Sequence, residues 1–190
     1  MTATGRGHKM SFFTALARLL RHSTGSAAQV RRAIPPDMAQ RLAHRVAASE
    51  QRHSGEVRIC VEARLPASYL WRHLRQGTPM AHIVRQRALM LFAKLHVWDT
   101  EHNNGVLIYL LLAEHAIELV ADRGITSRVP AQAWQAMVAH LGQRLHAGQW
   151  EDGLTQALEE VSAALATHYP QTPGSAAPAP NQLPDTPVLL

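Results

Sequence analysis

The chain is short of the residues that most ready-made functional assignments rest on. It has one cysteine, Cys60, inside the apolar run Val57-Arg58-Ile59-Cys60-Val61. A lone buried thiol forms no internal disulfide, and a reactive thiolate needs an exposed, charge-stabilised setting. Cys60 therefore reads as a core residue in a chain suited to a reducing compartment. Aromatic residues make up only 5% and do not alternate with the arginines, which argues against a single-strand nucleic-acid surface. None of the 12 histidines stands four residues from another, so the helical pair that a zinc site favours is missing. The longest uninterrupted apolar stretch, residues 105–113, is far below the roughly 20 residues of a membrane span. Acidic residues are absent before Asp37, although six basic residues precede it. Residues 1–100 carry 16 Lys and Arg against 5 Asp and Glu; residues 101–190 carry 3 against 9.

Against these absences stands one strong pattern. Asn103-Asn104-Gly105 leads into Val106-Leu107-Ile108-Tyr109-Leu110-Leu111-Leu112, and Ile117-Glu118-Leu119-Val120 answers after a short turn. A β-branched and aliphatic run without polar interruption predicts a strand covered on both faces, paired with its neighbour as a hairpin. Asn-Asn-Gly at the entrance and Asp122-Arg123-Gly124 at the exit then lie together at a sheet edge, the place where open α/β sheets carry sites.

The rest of the chain fits an α/β order. Residues 10–21 predict a short basic amphipathic helix. Phe12, Phe13, Leu16, Leu19 and Leu20 recur at helical spacing, with Arg18 and Arg21 opposite. Arg18 breaks the apolar stretch at once, which argues against a secretory signal. Residues 23–28 read as a small-residue linker. Pro35-Pro36-Asp37 opens a helix to about residue 53, with core stripe Met38, Leu42, Val46 and Ser49 and a basic stripe Arg41, Arg45 and Arg52. Residues 56–62 alternate as a strand. Residues 67–96 are helical with a break at Gly77-Thr78-Pro79, and Leu89 is placed in the core. Two helices follow, one opened by Pro130 and one by Glu151-Asp152, whose carboxylates suit the positive end of a helix. Residues 171–190, rich in Pro and Ala, predict a disordered tail. The expected division is a basic segment 1–30, a domain 31–170 and that tail; the fold class is α/β, a small mixed sheet flanked by helices.

Five pieces in order resemble the TPM domain family (thylakoid-lumen-phosphatase-like, also bacterial). They are Gly55-Glu56-Val57-Arg58-Ile59, residues 92–97, Asn103-Asn104-Gly105-Val106-Leu107-Ile108, residues 117–124, and His146-Ala147-Gly148-Gln149-Trp150-Glu151-Asp152-Gly153-Leu154. The resemblance covers about residues 35–170 and implies a Rossmann-like α/β/α sandwich. It also implies divalent-cation binding (Ca²⁺ or Mg²⁺) and acid phosphatase activity for some members, and accessory roles beside membrane complexes for others. The chain departs from the family pattern at three places. Glu114-His115 stands where Asp-Arg is usual, Asp122 where the first Gly of a Gly-x-Gly turn is usual, and Arg128-Val129-Pro130 where an acid is usual.

The candidate ligand or metal site is Asp99, Asn103, Asn104, Asp122 and Arg123: oxygen donors for a hard cation and a guanidinium for a phosphoryl group. No nucleophile–base pair accompanies them, so the expected function is a non-catalytic binding or accessory module, with a metal-dependent phosphatase as the rival. The candidate docking surface is Phe12, Phe13, Leu16, Arg18, Leu19, Leu20 and Arg21, matched to an anionic membrane surface or a membrane-associated protein. The expected location is cytoplasmic, peripheral on the inner membrane, with nucleic acid disfavoured as a partner.

Overall fold

A computed structural model describes His22, residues 26–171 and residues 181–190. The expected helix at 10–21, with its seven candidate docking residues, lies outside the described residues.

Proline sets the start of four helices. Pro35, Pro66, Pro79 and Pro130, all in extended backbone, stand immediately before α2 (Pro36–Glu50), α3 (Ala67–Gln76), α4 (Met80–Lys94) and α6 (Ala131–His146). An X-Pro step disfavours helix before it and presets φ for the turn that follows. Gly77, at φ 66°, supplies the left-handed residue that stops α3, so the break expected at 77–79 is real. The remaining helices are α1 (Ala27–Ala33), the single turn α5 (Arg123–Thr126) and α7 (Trp150–His168).

The sheet has the order β3-β2-β1-β4. β1 (Val57–Glu62) runs parallel to β2 (Val106–Leu111), with Ile59 opposite Ile108, joined by a crossover through α3 and α4. β3 (Ala116–Ala121) returns antiparallel to β2, with Ile108 opposite Leu119. Both central strands are buried at every position. The alternation expected for β1 holds: Val57, Ile59 and Val61 face a core with α1, α2, α6 and α7, while Cys60 faces the α3–α4 side with Leu107, Tyr109 and Leu111. Cys60 is fully buried, and burial pushes its thiol up to about 12, which leaves it inert. The result is the expected α/β/α sandwich.

Three expectations differ from the structure. Residues 181–190 are not a free tail. Val188–Leu189 forms β4, parallel to β1, and Leu190 completes it by donating to the Val61 carbonyl at 2.9 Å and accepting from Ala63 N–H at 2.8 Å. Backbone pairing needs no charge or long apolar run, so composition did not reveal it. The folded unit also begins before residue 31. Val30 of α1 is in the core, and buried His22 reaches the hairpin turn, its Nε2 3.0 Å from Glu114 Oε1 while its Nδ1 accepts from Leu65 N–H. Leu89, expected in the core, is 46% exposed, because Ala88, Leu91 and Phe92 take the inward side of α4.

Two of the three arginines of the expected basic stripe are spent inside the domain, Arg41 on α2 and Arg52 just past its end. Arg41 bridges Asp37 at 2.9 Å and Glu151 of α7 at 2.7 Å, and Arg52 reaches Glu159 and Ser162 of α7.

Candidate functional site

The hairpin brings the loop 99–104 and the turn 122–125 against each other at the amino ends of the parallel strands β1 and β2, the end opposite to the one where open α/β sheets bind ligands, so the expectation drawn from sheet position does not hold. The joint is a tight one. A Cβ on Gly124 would stand 2.4 Å from the Asn103 carbonyl oxygen and 2.8 Å from that of His102, so only glycine lets the two backbones meet. Asn103 itself sits at φ 52°, a left-handed conformation that asparagine tolerates, which turns the chain into β2.

Of the five candidate residues, Asn103, Asn104 and Asp122 lie on the two adjoining segments, and Asp99 and Arg123 are exposed. Asn104 is fully buried; its N–H donates to Thr100 Oγ1 at 3.0 Å and its Nδ2 to Ser54 Oγ at 3.3 Å. Asp122 lies opposite Gly105, its N–H bonded to the Gly105 carbonyl at 2.9 Å. Its Oδ1 accepts from Arg123 N–H at 2.6 Å, capping α5. Asn103 meets the second segment through its backbone, its carbonyl facing Gly124. The Arg123 side chain is exposed, and so is Asp99 at the start of the loop. Among the described residues no hydrogen bond or ion pair ties either side chain to Asp122.

Sequence reasoning missed a second layer beneath these loops. Tyr169, just past α7, stands in the midst of them. His102 stacks on its ring at 6.5 Å, the Arg128 guanidinium lies 4.9 Å from the ring centre, and its hydroxyl closes on Gly124. Behind it, His53 is held on both nitrogens. Nδ1 lies 3.0 Å from the Gly55 carbonyl, which can only accept, so Nδ1 carries the proton and Nε2 accepts from Ser162 Oγ at 2.9 Å. Burial lowers its pKa to about 4. On the β4 side, Glu50, Glu56, Arg58 and Asp185 form a polar cluster in which Glu56 and Arg58 are buried and Glu50 and Asp185 half-buried. The Glu50 carboxylate accepts from Val57 N–H at 3.0 Å and the Glu56 carboxylate from Gln182 N–H at 3.0 Å. Burial raises the Glu50 pKa to about 8, and the Glu56 and Asp185 charges add to the rise; Glu56 is raised for the same first reason. Alternation had placed Glu56 and Arg58 on the face opposite Val57. The signal that both would be buried was the need of a central parallel strand to be covered on both sides.

These two shifts give opposite pH dependences. His53 has a folded pKa below the unfolded value of about 6.5. Its contribution is therefore intact above that value and is lost as pH falls toward 4, a loss of up to about 3 kcal/mol. Glu50 has a folded pKa above its unfolded value, so its contribution is intact in acid and is lost as pH rises toward 8. Urea unfolding across pH 4–8 should show the acid limb flattened in His53→Asn and the alkaline limb flattened in Glu50→Gln. Unchanged slopes in both variants would refute these assignments.

Three buried oxygens near the loops lack any hydrogen-bond partner: Asn104 Oδ1, Asp122 Oδ2 and Glu56 Oε2. Uncharged or anionic oxygens of this kind are the donors that Ca²⁺ and Mg²⁺ take. The residues present thus fit a divalent ion in ligand type, with Asp122 and Asn104 on adjoining loops as the side chains that would hold it.

The TPM domain model matches residues 31–164, about 70% of the chain, and the protein belongs to the TPM domain family. No curated protein matches. Among solved structures, the chain is similar to the NMR structure of the BA42 protein from the psychrophilic bacterium Bizionia argentinensis. That match has a TM-score of 0.64 and 22% identity, covering 82% of this chain and 94% of that one. The likeness extends to the fold.

Proposed function

We propose that this protein is a non-catalytic binding or accessory module of the TPM type. Its working surface is the pair of loops 99–104 and 122–125, and the basic leader with Phe12, Phe13, Arg18 and Arg21 carries it to a membrane surface or a membrane-associated protein, at the cytoplasmic face of the inner membrane. The observation that carries this reading is how the polar groups at the loops are used. Asp122 caps a helical turn, Asn104 ties β2 to Ser54, and Arg123 points to solvent, so the side chains shape a surface rather than address a reacting centre. Among the described residues no helix is long and apolar enough to cross a membrane, so attachment through a leader is consistent with them.

The second reading is a metal-dependent phosphatase, favoured by the unpartnered oxygens of Asp122 and Asn104. A bound divalent ion would supply an activated water and charge for the phosphoryl oxygens. Asp122 would hold it, with Arg123 free to bind phosphate.

The test is hydrolysis of p-nitrophenyl phosphate by the full chain with Ca²⁺, Mg²⁺ or Mn²⁺, beside Asp122→Asn. The expected result is no turnover above the variant; metal-dependent turnover that Asp122→Asn abolishes would overturn the module reading. Co-sedimentation with anionic vesicles should be lost in Arg18→Gln/Arg21→Gln. Charge removal is preferable to deleting residues 1–30, because that deletion takes buried His22 and Val30 with it.

A further inference from the structure

A cleft lies at the opposite end of the sheet from the loops, where β2 ends and α1, α6 and the start of α7 converge. Its volume is about 470 Å³, within the range of small-molecule sites. The walls are apolar: Leu110, Ile117, Leu145 and Trp150. The rim is polar. Arg32, His115 and His146 line the mouth, and no Asp or Glu lines any part of it. Arg32 is exposed and has no ion pair or hydrogen bond among the described residues, in contrast to Arg41 and Arg52 nearby in sequence.

Gly142 gives the cleft part of its room. It stands in the interior of α6, where glycine costs about 1 kcal/mol relative to alanine. Its φ is not left-handed, and a Cβ there would meet only Ile117 Cδ1, at an ordinary 3.6 Å. Neither backbone conformation nor close packing calls for glycine here; what its missing side chain leaves is open space between α6 and β3.

We propose that this cleft binds a medium-chain aliphatic carboxylate, with the chain along Leu110, Ile117, Leu145 and Trp150 and the head on Arg32. The planar guanidinium fork matches a carboxylate in two parallel hydrogen bonds, and the two histidines add donors at the same mouth. The volume corresponds to about fifteen waters at ~30 Å³ each, room for an alkyl chain of about ten carbons and its head. The position is the carboxyl end of the parallel strands, where open α/β sheets bind ligands. The site is independent of what the loops 99–104 and 122–125 do.

Decanoate is the probe, titrated into the full chain by calorimetry and followed in parallel by amide shifts of Ile117 and Gly142. The expected result is saturable one-to-one binding, weakened at least about tenfold by Arg32→Gln, the loss of one charge-assisted contact. Gly142→Leu should abolish binding while thermal stability is kept or raised, since leucine is the better helix former. Decanol should bind more weakly and be indifferent to Arg32→Gln. The absence of saturation up to about 1 mM, or binding of decanol equal to that of decanoate, would overturn the proposal. Binding that appears only with lipid vesicles, or a dimer in sedimentation that excludes decanoate, would assign the cleft to a membrane surface or to a second copy instead.

Discussion

Gly105→Ala will destabilise this protein more than any other single methyl addition at its described glycines. A Cβ at that position stands 1.9 Å from the carbonyl oxygen of Val97 and 3.0 Å from its carbonyl carbon. The obstacle is backbone, and that backbone is fixed: Val97 is fully buried, and its N–H is bonded to the Phe92 carbonyl at the end of α4. The residue cannot shift the other way either. Its own carbonyl accepts from Asp122 N–H, and Val106 beside it donates to the Glu56 carbonyl at 2.8 Å. Relief therefore means breaking the entry of β2 or displacing the crossover, at a cost of about 3 kcal/mol or more. For a chain of this size that lowers the melting temperature by about 6–12 °C. Gly105 is not at positive φ, so the effect is steric and serine should do no better than alanine. A melting temperature within about 2 °C of the parent would show that the loop yields easily.

The second large effect lies on the α3–α4 side. Glu62, at the end of β1, takes both nitrogens of a fork from Arg87 of α4, Nε to Oε2 at 2.9 Å and Nη2 to Oε1. Its Oε2 also accepts from the Tyr109 hydroxyl at 2.7 Å, and Tyr109 is fully buried. The Arg87 and Glu62 side chains are 12% and 5% exposed, so this pair is shielded from water. Glu62→Ala removes the acceptor of three hydrogen bonds at once and leaves a guanidinium uncompensated, which should cost about 3–5 kcal/mol. The cost belongs to the orphaned partner more than to the lost bond. Adding Arg87→Met to Glu62→Ala should accordingly restore stability, since a buried ion pair is often matched by an apolar replacement of similar size. Urea denaturation of the parent, the single and the double variant decides it. A double variant less stable than Glu62→Ala would show that Arg87 stabilises the fold through other contacts, among them its position over the Tyr69 ring at 5.5 Å.

How much of this the sequence announced depends on the kind of interaction. The hairpin and the two-sided burial of β2 were legible in the run 106–111, because burial on both faces demands an unbroken apolar string. Two helix starts were legible in Pro35 and Pro130, and the break before α4 in Gly77-Thr78-Pro79, because a proline ring restricts the backbone wherever the chain goes. The meeting of the segments 99–104 and 122–125 was legible as well, since an antiparallel pair must bring its two outer ends together. What stayed hidden depends on distant partners. Glu62, Arg87 and Tyr109 are individually ordinary, and only the register of β1 on β2 with α4 across them makes a buried triad. Tyr169 came under the candidate loops because α7 ends there, a matter of helix length and packing angle. The Arg32 rim was hidden for a like reason: the small residues 23–28 read as a linker, and α1 begins among them.

β4 has a consequence for the protein's behaviour in concentrated solution. Without it, β1 would present an open row of backbone donors and acceptors along Val57-Arg58-Ile59-Cys60-Val61-Glu62, a segment of high strand propensity and no net charge. Such an edge is a template for intermolecular strand addition and fibril growth. β4 pairs with its distal half and is itself two residues long, too short to recruit a further chain. Its proline-flanked approach, Pro184 and Pro187, limits extension at the other end. The C-terminal segment therefore acts as a guard on self-association, and colloidal stability, more than unfolding free energy, is the property most exposed to its detachment.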